Sequence, residues 1–134
     1  MVVDFYAIDH GYGFCALGGD RVYFRVEDFS RGSSDDPLPI CGEAVAVENV
    51  VPGSKTPHAM KVRRLTRPHK VRGRVKSFDG EKGWGFVTHG DDVYFLHRSD
   101  LTTTFHPVVG SEVDFYAGMR RGRLRACYVT PLRG

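Results

Sequence analysis

Two short segments in the second half of the chain concentrate aromatic side chains, glycines and a histidine. They are Lys82-Gly83-Trp84-Gly85-Phe86-Val87 and Tyr94-Phe95-Leu96-His97. Side chains alternate between the two faces of a β-strand. If Val87, Tyr94 and Leu96 face a core, the other large side chains point outward together. These are Trp84, Phe86, Phe95 and His97. A contiguous patch of exposed rings predicts an interaction surface that stacks on flat ligands.

Basic side chains border this predicted patch. They are Lys76, Lys82, Arg98, Arg121 and Arg123, and we expect Phe78 to join the rings from the preceding strand. Rings stack on unpaired bases while cations contact phosphates, and each stacked base contributes about 1–3 kcal/mol. The pattern therefore predicts binding of single-stranded DNA or RNA, with Gly83 and Gly85 allowing bases to approach the backbone. The alternative is that the rings pack against protein, in a sandwich or a dimer interface.

The elements that must position these residues are short strands, because no segment shows a long apolar pattern of helical period. In the second half we predict strands at Val71–Phe78, Gly83–Thr88, Val93–Arg98, Glu112–Tyr116 and Leu124–Val129. Turn compositions rich in Gly and Asp separate them, and a further loop covers Thr102–Gly110. Five short strands without a helix predict a small closed barrel.

The chain also contains an internal repeat. Gly11-Tyr12-Gly13-Phe14 resembles Gly83-Trp84-Gly85-Phe86 at an offset of 72, and Val22-Tyr23-Phe24 resembles Val93-Tyr94-Phe95 at an offset of 71. Gly42 with Val45 resembles Gly110 with Val113, and Ala59 with Val62 resembles Ala126 with Val129. The repeat predicts two domains, residues 1–66 and 67–134, joined at Thr66-Arg67-Pro68-His69, where Pro68 breaks regular structure.

The first copy predicts a similar but poorer surface. Its strands would be Val2–Tyr6, Gly13–Leu17, Val22–Val26, Ala44–Asn49 and His58–Arg63. The matching rings define a weaker second site at Tyr6, Tyr12, Phe14 and Phe24, with Phe5 nearby. Either Arg25 or Val26 replaces His97, and Asp4 replaces Lys76. An acidic side chain beside a phosphate track opposes binding.

Composition narrows the functional classes. Residues 1–66 carry 7 Lys/Arg against 9 Asp/Glu (net −2), and residues 67–134 carry 12 against 7 (net +5), so a polyanion would prefer the second half. Three separated cysteines indicate a reducing, cytoplasmic location, and no apolar run is long enough to span a membrane. No nucleotide loop, zinc spacing or catalytic constellation is visible, so we expect no enzyme activity, no catalytic residues, no metal and no cofactor.

The second copy resembles the cold shock domain of bacterial cold shock proteins and Y-box proteins. The resemblance lies in Gly73-Arg74-Val75-Lys76-Ser77-Phe78-Asp79, in the run from Lys82 to Val87, and in Tyr94-Phe95-Leu96-His97-Arg98-Ser99-Asp100-Leu101. Two residues depart from the family pattern, since Ser77 replaces a Trp and Arg98 replaces a Phe. The resemblance implies two tandem five-stranded OB-type β-barrels, the first degenerate.

The same resemblance implies binding of single-stranded DNA or RNA with low sequence specificity, as in an RNA chaperone or a regulator of expression. The alternative function is a protein-interaction or dimerisation module whose aromatic faces bind protein, which leaves a homodimer open. We favour an asymmetric version, in which the second copy binds nucleic acid and the first contributes weakly. DNA against RNA, the sequence preference and the pathway stay open.

Overall fold

The computed structural model describes residues 1–7, 10–53, 55–102 and 105–132. These residues form β-strands and two single-turn 3₁₀ helices. The chain divides into two compact units, Met1–Pro68 and His69–Gly134. The prediction of an all-β protein is confirmed.

The first unit is a curved sheet of short strands. The strands are β1 (Val2–Ala7), β2 (Tyr12–Leu17), β3 (Asp20–Arg25), β4 (Phe29–Ser30), β5 (Val45–Val51) and β6 (His58–Arg64). The sheet order is β1-β2-β3-β6-β4, and β5 pairs with β6. A 3₁₀ turn, Val26–Asp28, follows β3. Among the described residues, one isolated bridge, Val2 to Ala44, joins β1 to the segment that leads into β5.

The second unit is a closed five-stranded barrel of the OB type. Its strands are β7 (Lys70–Asp79), β8 (Trp84–His89), β9 (Asp92–His97), β10 (Glu112–Arg120) and β11 (Arg123–Pro131). They close in the order β10-β11-β9-β8-β7. A 3₁₀ turn, Arg98–Asp100, follows β9, and β11 runs parallel to β9 through the pair Arg125 and Phe95.

The length of the first strand distinguishes the closed barrel of the second unit from the sheet of the first. Strand β7 has ten residues, and its segment Lys70–Arg74 pairs with β10 over five positions. Strand β1 has six residues, and the corresponding contact with the β5 side is the Val2–Ala44 bridge. Backbone N–H and C=O groups along two paired strands hydrogen-bond to each other. The seam where the first strand meets the fourth main strand is therefore more fully hydrogen-bonded in the second unit than in the first.

Seven of the eight buried positions in the two cores are equivalent, and the residue types differ at three of these seven. The first core contains Val3, Cys15, Val22, Phe24, Phe29, Val45, Ala59 and Val62. The second contains Val75, Val87, Tyr94, Leu96, Val113, Phe115, Ala126 and Val129. On the third strand of each unit, Val22 and Phe24 occupy the places of Tyr94 and Leu96, so the large ring has moved by one core position.

This exchange makes part of the predicted repeat wrong. Gly13 pairs with Phe24 and Phe14 pairs with Tyr23, just as Gly85 pairs with Leu96 and Phe86 pairs with Phe95. The offset is therefore 72 throughout this hairpin, and Tyr23 is the counterpart of Phe95. A shift of one residue moves a side chain to the other face of the sheet. Phe24 is fully buried and is not a surface ring, so its assignment to a weaker second site is wrong.

The predicted strands agree with those observed to within a few residues, with three differences. Val26 and Arg98 lie in the 3₁₀ turns instead of in strands. The hairpin of β10 and β11 is longer than predicted, and the short strand β4 was not predicted. Within the predicted Thr102–Gly110 loop, residues 103 and 104 lie outside the described residues.

Candidate nucleic-acid interface

Four ring-bearing side chains form a continuous surface on the hairpin of β8 and β9. We call Trp84, Phe86, Phe95 and His97 the aromatic patch. Trp84 pairs with His97 and Phe86 with Phe95 across the strands. The ring centroid of Phe95 lies 6.1 Å from that of Trp84, 6.1 Å from that of Phe86 and 6.3 Å from that of His97. Trp84 is 38% exposed, while the residues of opposite parity, Val87, Tyr94 and Leu96, are buried.

The two flanking strands extend the row that contains Phe86 and Phe95. Ser77 of β7 pairs with Phe86, and Arg125 of β11 pairs with Phe95. The guanidinium carbon of Arg125 lies 5.9 Å from the Phe95 ring centroid. Arg125 was missed by sequence reasoning, because its place depends on the parallel pairing of β11 with β9. On β11 the neighbouring residues Ala126 and Cys127 are both buried, so the alternation of buried and exposed residues that would place Arg125 on the outer face is interrupted.

An aspartate holds Arg125 in place. The Nε of Arg125 donates to Oδ2 of Asp100 at 2.8 Å, and both side chains are mostly buried. Burial raises the pKa of Asp100, and the charge and hydrogen bond of Arg125 offset only part of that effect. The pair fixes a permanent positive charge at the edge of the aromatic patch.

Hydrogen bonding from its own turn fixes the orientation of His97. Its Nδ1 accepts from the Ser99 backbone N–H at 3.1 Å and lies 2.8 Å from the Ser99 hydroxyl. Because Nδ1 is an acceptor, the ring proton of the neutral form is on Nε2. His97 therefore presents a fixed N–H donor beside the rings, suited to a base oxygen or a phosphate.

Two cations lie at the Trp84 end of the patch, Lys82 in the loop between β7 and β8 and Arg98 in the turn after β9. Oδ1 of Asp79 accepts the backbone N–H groups of Glu81 at 2.9 Å and Lys82 at 3.1 Å. The Lys82 N–H is the main cause that lowers the pKa of Asp79. Lys82 is exposed. Arg98 lies over Gly83, where an added Cβ would clash with its Nε.

The two glycines serve the packing of the protein. Gly83 leaves room for Arg98. Gly85 is buried, and an added Cβ there would clash with the Ser77 carbonyl oxygen. The expectation that these glycines open the backbone to bases is therefore wrong. Their missing side chains lie against Arg98 and strand β7.

Phe78 lies apart from the row of Phe86. It pairs with Gly85, packs against the second core and makes an edge contact with His106 at 5.9 Å. Together with Arg98 and Phe105 it lines a neighbouring pocket of about 410 Å³. Phe105 and His106 were not predicted as site residues. An aromatic and a histidine side by side in the loop before Pro107 were the available signal.

The remaining predicted cations lie at the other end of the patch. Lys76 is the exposed extra residue where the pairing of β7 with β8 shifts between Val75 and Ser77. Arg121 lies in the turn after β10, and Arg123 precedes Arg125 by two residues on β11. Because β11 runs parallel to β9, Arg123 lies toward Val93 and away from Trp84.

The first unit carries a comparable outer face with different members. Its rings are Phe5, Tyr12, Phe14 and Tyr23, with neighbouring centroids between 5.9 and 6.4 Å apart. Phe5 occupies the place of Ser77, and Arg25 that of His97. Tyr6 stacks on buried Phe24 at 6.2 Å and packs against the first core. Of the predicted second site, Tyr12 and Phe14 lie on this face.

Charged groups on the first face are paired with one another. The guanidinium of Arg21 lies over the Phe14 ring, 3.9 Å from its centroid, and also contacts Asp4 at 3.6 Å. His58 occupies the place of Arg125. Its Nε2 lies 2.8 Å from Oδ2 of Asp28, and its ring lies 5.2 Å from that of Tyr23. The first face thus has a guanidinium 3.9 Å from a ring centroid and a histidine at the position where the second face has Arg125, whose guanidinium lies 5.9 Å from the Phe95 centroid.

Two further features are absent from the described part of the chain. No group of three or more His, Cys, Asp or Glu side chains there is placed to hold a metal ion. No helix in the same residues is long and apolar enough to cross a membrane.

No family model matches the chain, and no curated protein matches it. A solved structure described as "drosophila Unr CSD456" matches with a TM-score of 0.41 and 16% sequence identity. The match covers 98% of this chain and 61% of that chain, so this chain spans less than two thirds of its length.

Proposed function

We propose that the second unit binds single-stranded DNA or RNA with low sequence specificity by stacking bases on the aromatic patch. The observation that carries the proposal is the run of four adjacent outward rings, Trp84, Phe86, Phe95 and His97, on one hairpin of a closed barrel. Exposed rings gain free energy by stacking on flat partners, and every base offers such a face.

Polar and charged groups around the patch supply the contacts that stacking lacks. Arg125 and Lys82 border the rings at two sides, and His97 directs its Nε2 outward from a fixed ring. Cations that neutralise phosphates make binding depend on salt, while the rings make it depend on unpaired bases. This chemistry requires neither a catalytic group nor a cofactor, and the role we propose is that of an RNA chaperone or expression regulator in the cytoplasm.

The domain assignment enters the proposal as well. We place one cold-shock-type domain at residues 67–134 and a degenerate one at residues 1–66. The first is the weaker binder, because Arg21 already covers Phe14 and Asp4 lies beside it. A base can stack on Phe14 only after it displaces this guanidinium.

Titration of Trp84 fluorescence tests the proposal directly, since Trp84 is the only tryptophan of the chain. We expect a single-stranded oligothymidine or oligouridine to quench the emission strongly, and a duplex of equal length to quench it little. Added salt should weaken the single-strand effect. Absence of quenching by both single strands would contradict the proposal.

The rival function is protein association through the aromatic faces, including a homodimer. It predicts a mass that rises with concentration in light scattering and falls to that of the monomer after Trp84→Ala. A monomeric mass at all concentrations, together with quenching by a single strand, would decide for nucleic acid.

A further inference from the structure

The outer surface of the second barrel continues past the aromatic patch into a basic pocket. Thr88 follows Phe86 by two residues on β8 and pairs with Arg74 of β7. Two residues along a strand span about 7 Å on the same face, so Arg74 lies one outward step beyond the Phe86 row. Arg72 is one further step along β7.

This basic pocket has a volume of about 250 Å³ and is lined by Arg72, Arg74, Thr88, His89 and Glu112. The side chains of Arg72 and Arg74 are each 63% exposed. Arg72 contacts Asp114 at 3.3 Å, and Arg74 contacts Glu112 at 3.1 Å and the Gly110 carbonyl oxygen at 3.2 Å. These contacts with β10 and the loop before it hold both guanidiniums against the barrel wall.

Held in this way, the arginines can still bind an additional anion. A guanidinium has five N–H donors, and its planar fork matches the oxygens of a phosphate. Ion pairs this exposed are worth roughly 0–1 kcal/mol, so Asp114 and Glu112 do not prevent competition by a phosphate. The carboxylates position the cations without neutralising them completely.

His89 also lines the basic pocket. Its Nδ1 lies 2.9 Å from the Arg72 carbonyl oxygen. A carbonyl only accepts, so Nδ1 is the donor, and Nε2 of the neutral ring is an acceptor that gives a phosphate no hydrogen bond. The ring is thereby fixed at the turn between β8 and β9, beside the two arginines.

We propose that the basic pocket is a phosphate-binding extension of the aromatic patch, which holds the backbone of a single strand where it leaves the stacked bases. The inference rests on the proposed function and adds a subsite to it. The ligand is the phosphodiester of the same strand, because the pocket is open, lies one step from Phe86 and offers fork-shaped donors.

The test compares oligothymidines of about five and about twelve nucleotides, within the range that one OB barrel covers. The variant is Arg72→Gln/Arg74→Gln. The matched control is Lys61→Gln/Arg63→Gln, which removes two exposed cations paired with Glu48 on the first unit. Binding is measured by fluorescence anisotropy over a series of salt concentrations, and thermal unfolding of each variant verifies the fold.

For the long oligomer we expect the variant to reduce the slope of log K against log[salt] by about 1.4, since each phosphate contact contributes about 0.7. The short oligomer and the control should keep the wild-type values. Arg72→Lys/Arg74→Lys should keep the slope, because it keeps both charges. An unchanged slope for the long oligomer, or an equal loss with the short one or in the control, would overturn the inference.

Two further outcomes separate the sources of failure. If wild-type protein binds neither oligomer, the proposed function itself fails. If millimolar inorganic phosphate displaces the long oligomer from wild type to the level of the Gln variant, the pocket takes free phosphate in preference to a strand, and the extension is overturned while the aromatic patch stands.

Discussion

The two units pair their first three strands and their last strand in the same way, but their outer faces differ in how the charges are arranged. In the second unit Arg125 lies beside Phe95 and is held by Asp100, whereas in the first His58 lies beside Tyr23 and is held by Asp28. Both bonds are 2.8 Å long. The geometry of the support is therefore retained while the supported side chain changes from an arginine to a histidine.

A second contrast concerns access to the rings. The first face has an additional aromatic side chain, because Phe5 occupies the position that Ser77 occupies on the second face. However, its central ring Phe14 is covered by Arg21, and the neighbouring Asp4 binds that arginine. The number of rings on a face is thus a poor guide to its capacity for stacking, because the partners of each ring decide whether a base can reach it.

The largest expected difference lies between two neighbours on β3. Phe24→Ala should lower the free energy of unfolding by about 3–5 kcal/mol, because it leaves a cavity in the first core. Tyr23→Ala, on the outward face, should cost less than about 1 kcal/mol. Urea unfolding followed by circular dichroism measures both. Equal losses would mean that the register of β2 with β3 differs from the one described.

Loss of rings from the two faces should have unequal effects on binding. Phe86→Ala and Phe95→Ala should each weaken single-strand affinity by about 1–3 kcal/mol, the usual value of a stacked base. Their counterparts Phe14→Ala and Tyr23→Ala should change it less than threefold, or about 0.6 kcal/mol. Anisotropy titration with one labelled oligomer compares all four, and equal losses would show two working faces.

The two aspartates should respond to acid in opposite directions. Burial works to raise the pKa of Asp28, but the Arg25 backbone N–H, His58 and the charge of Arg25 outweigh it, so the pKa is lowered. Asp28 therefore stabilises the fold above the ordinary carboxyl pKa of about 3.9, and this stability is lost as pH falls through the lowered value. The pKa of Asp100 is raised, so acid does not remove stability through this group.

Asp28→Asn should accordingly lower the free energy of unfolding by on the order of 1 kcal/mol near pH 7, as for a typical hydrogen bond. The deficit should shrink as the pH falls below the ordinary carboxyl pKa of about 3.9 and through the lowered pKa of Asp28, because wild type loses the same contribution there. Chemical unfolding at several pH values measures it. A deficit that does not depend on pH would mean that packing, and not the charge of Asp28, carries the effect.

The smallest expected effect comes from exchanging the cations. Arg125→His should bind a single strand several-fold less tightly than wild type at about pH 8, and approach it at about pH 6, because histidine changes charge in this interval. Arg125→Lys serves as the control that keeps its charge. Anisotropy titration at both pH values measures the two affinities. If the ratio of the Arg125→His affinity to the wild-type affinity is the same at both pH values, the charge of Arg125 does not contribute to binding.

Much of the fold was predictable because alternation and turn composition act locally. The ten main strands, the all-β class and the outward parity of Trp84, Phe86, Phe95 and His97 all depend on patterns within a few residues. The error at Phe24 arose because the repeat was matched by residue type. The large core ring of this strand is Tyr94 in the second unit, whereas in the first it is Phe24, which corresponds in position to Leu96. Matching Tyr23-Phe24 with Tyr94-Phe95 by residue type therefore gave an offset that was wrong by one residue.

The parts of the site that could not be predicted depend on long-range pairing. Arg125 reaches Phe95 through a single parallel pair between β11 and β9, which no local pattern indicates. The covering of Phe14 by Arg21 depends on side-chain conformation. The supports Asp28 and Asp100 become visible only when the 3₁₀ turns and the last strands are placed together.

The single bridge between Val2 and Ala44 has a consequence for motion. In the first unit, β1 is joined to the segment before β5 by a few backbone hydrogen bonds. They include Val3 N–H to the Glu43 carbonyl oxygen and Val45 N–H to the Met1 carbonyl oxygen, both 2.9 Å. A seam this short can open without unfolding the sheet, so its amide protons should exchange with solvent through local fluctuations. The amide protons of Val113 and Phe115, where β10 pairs with β7 over five positions in the second unit, should exchange only when the whole barrel unfolds.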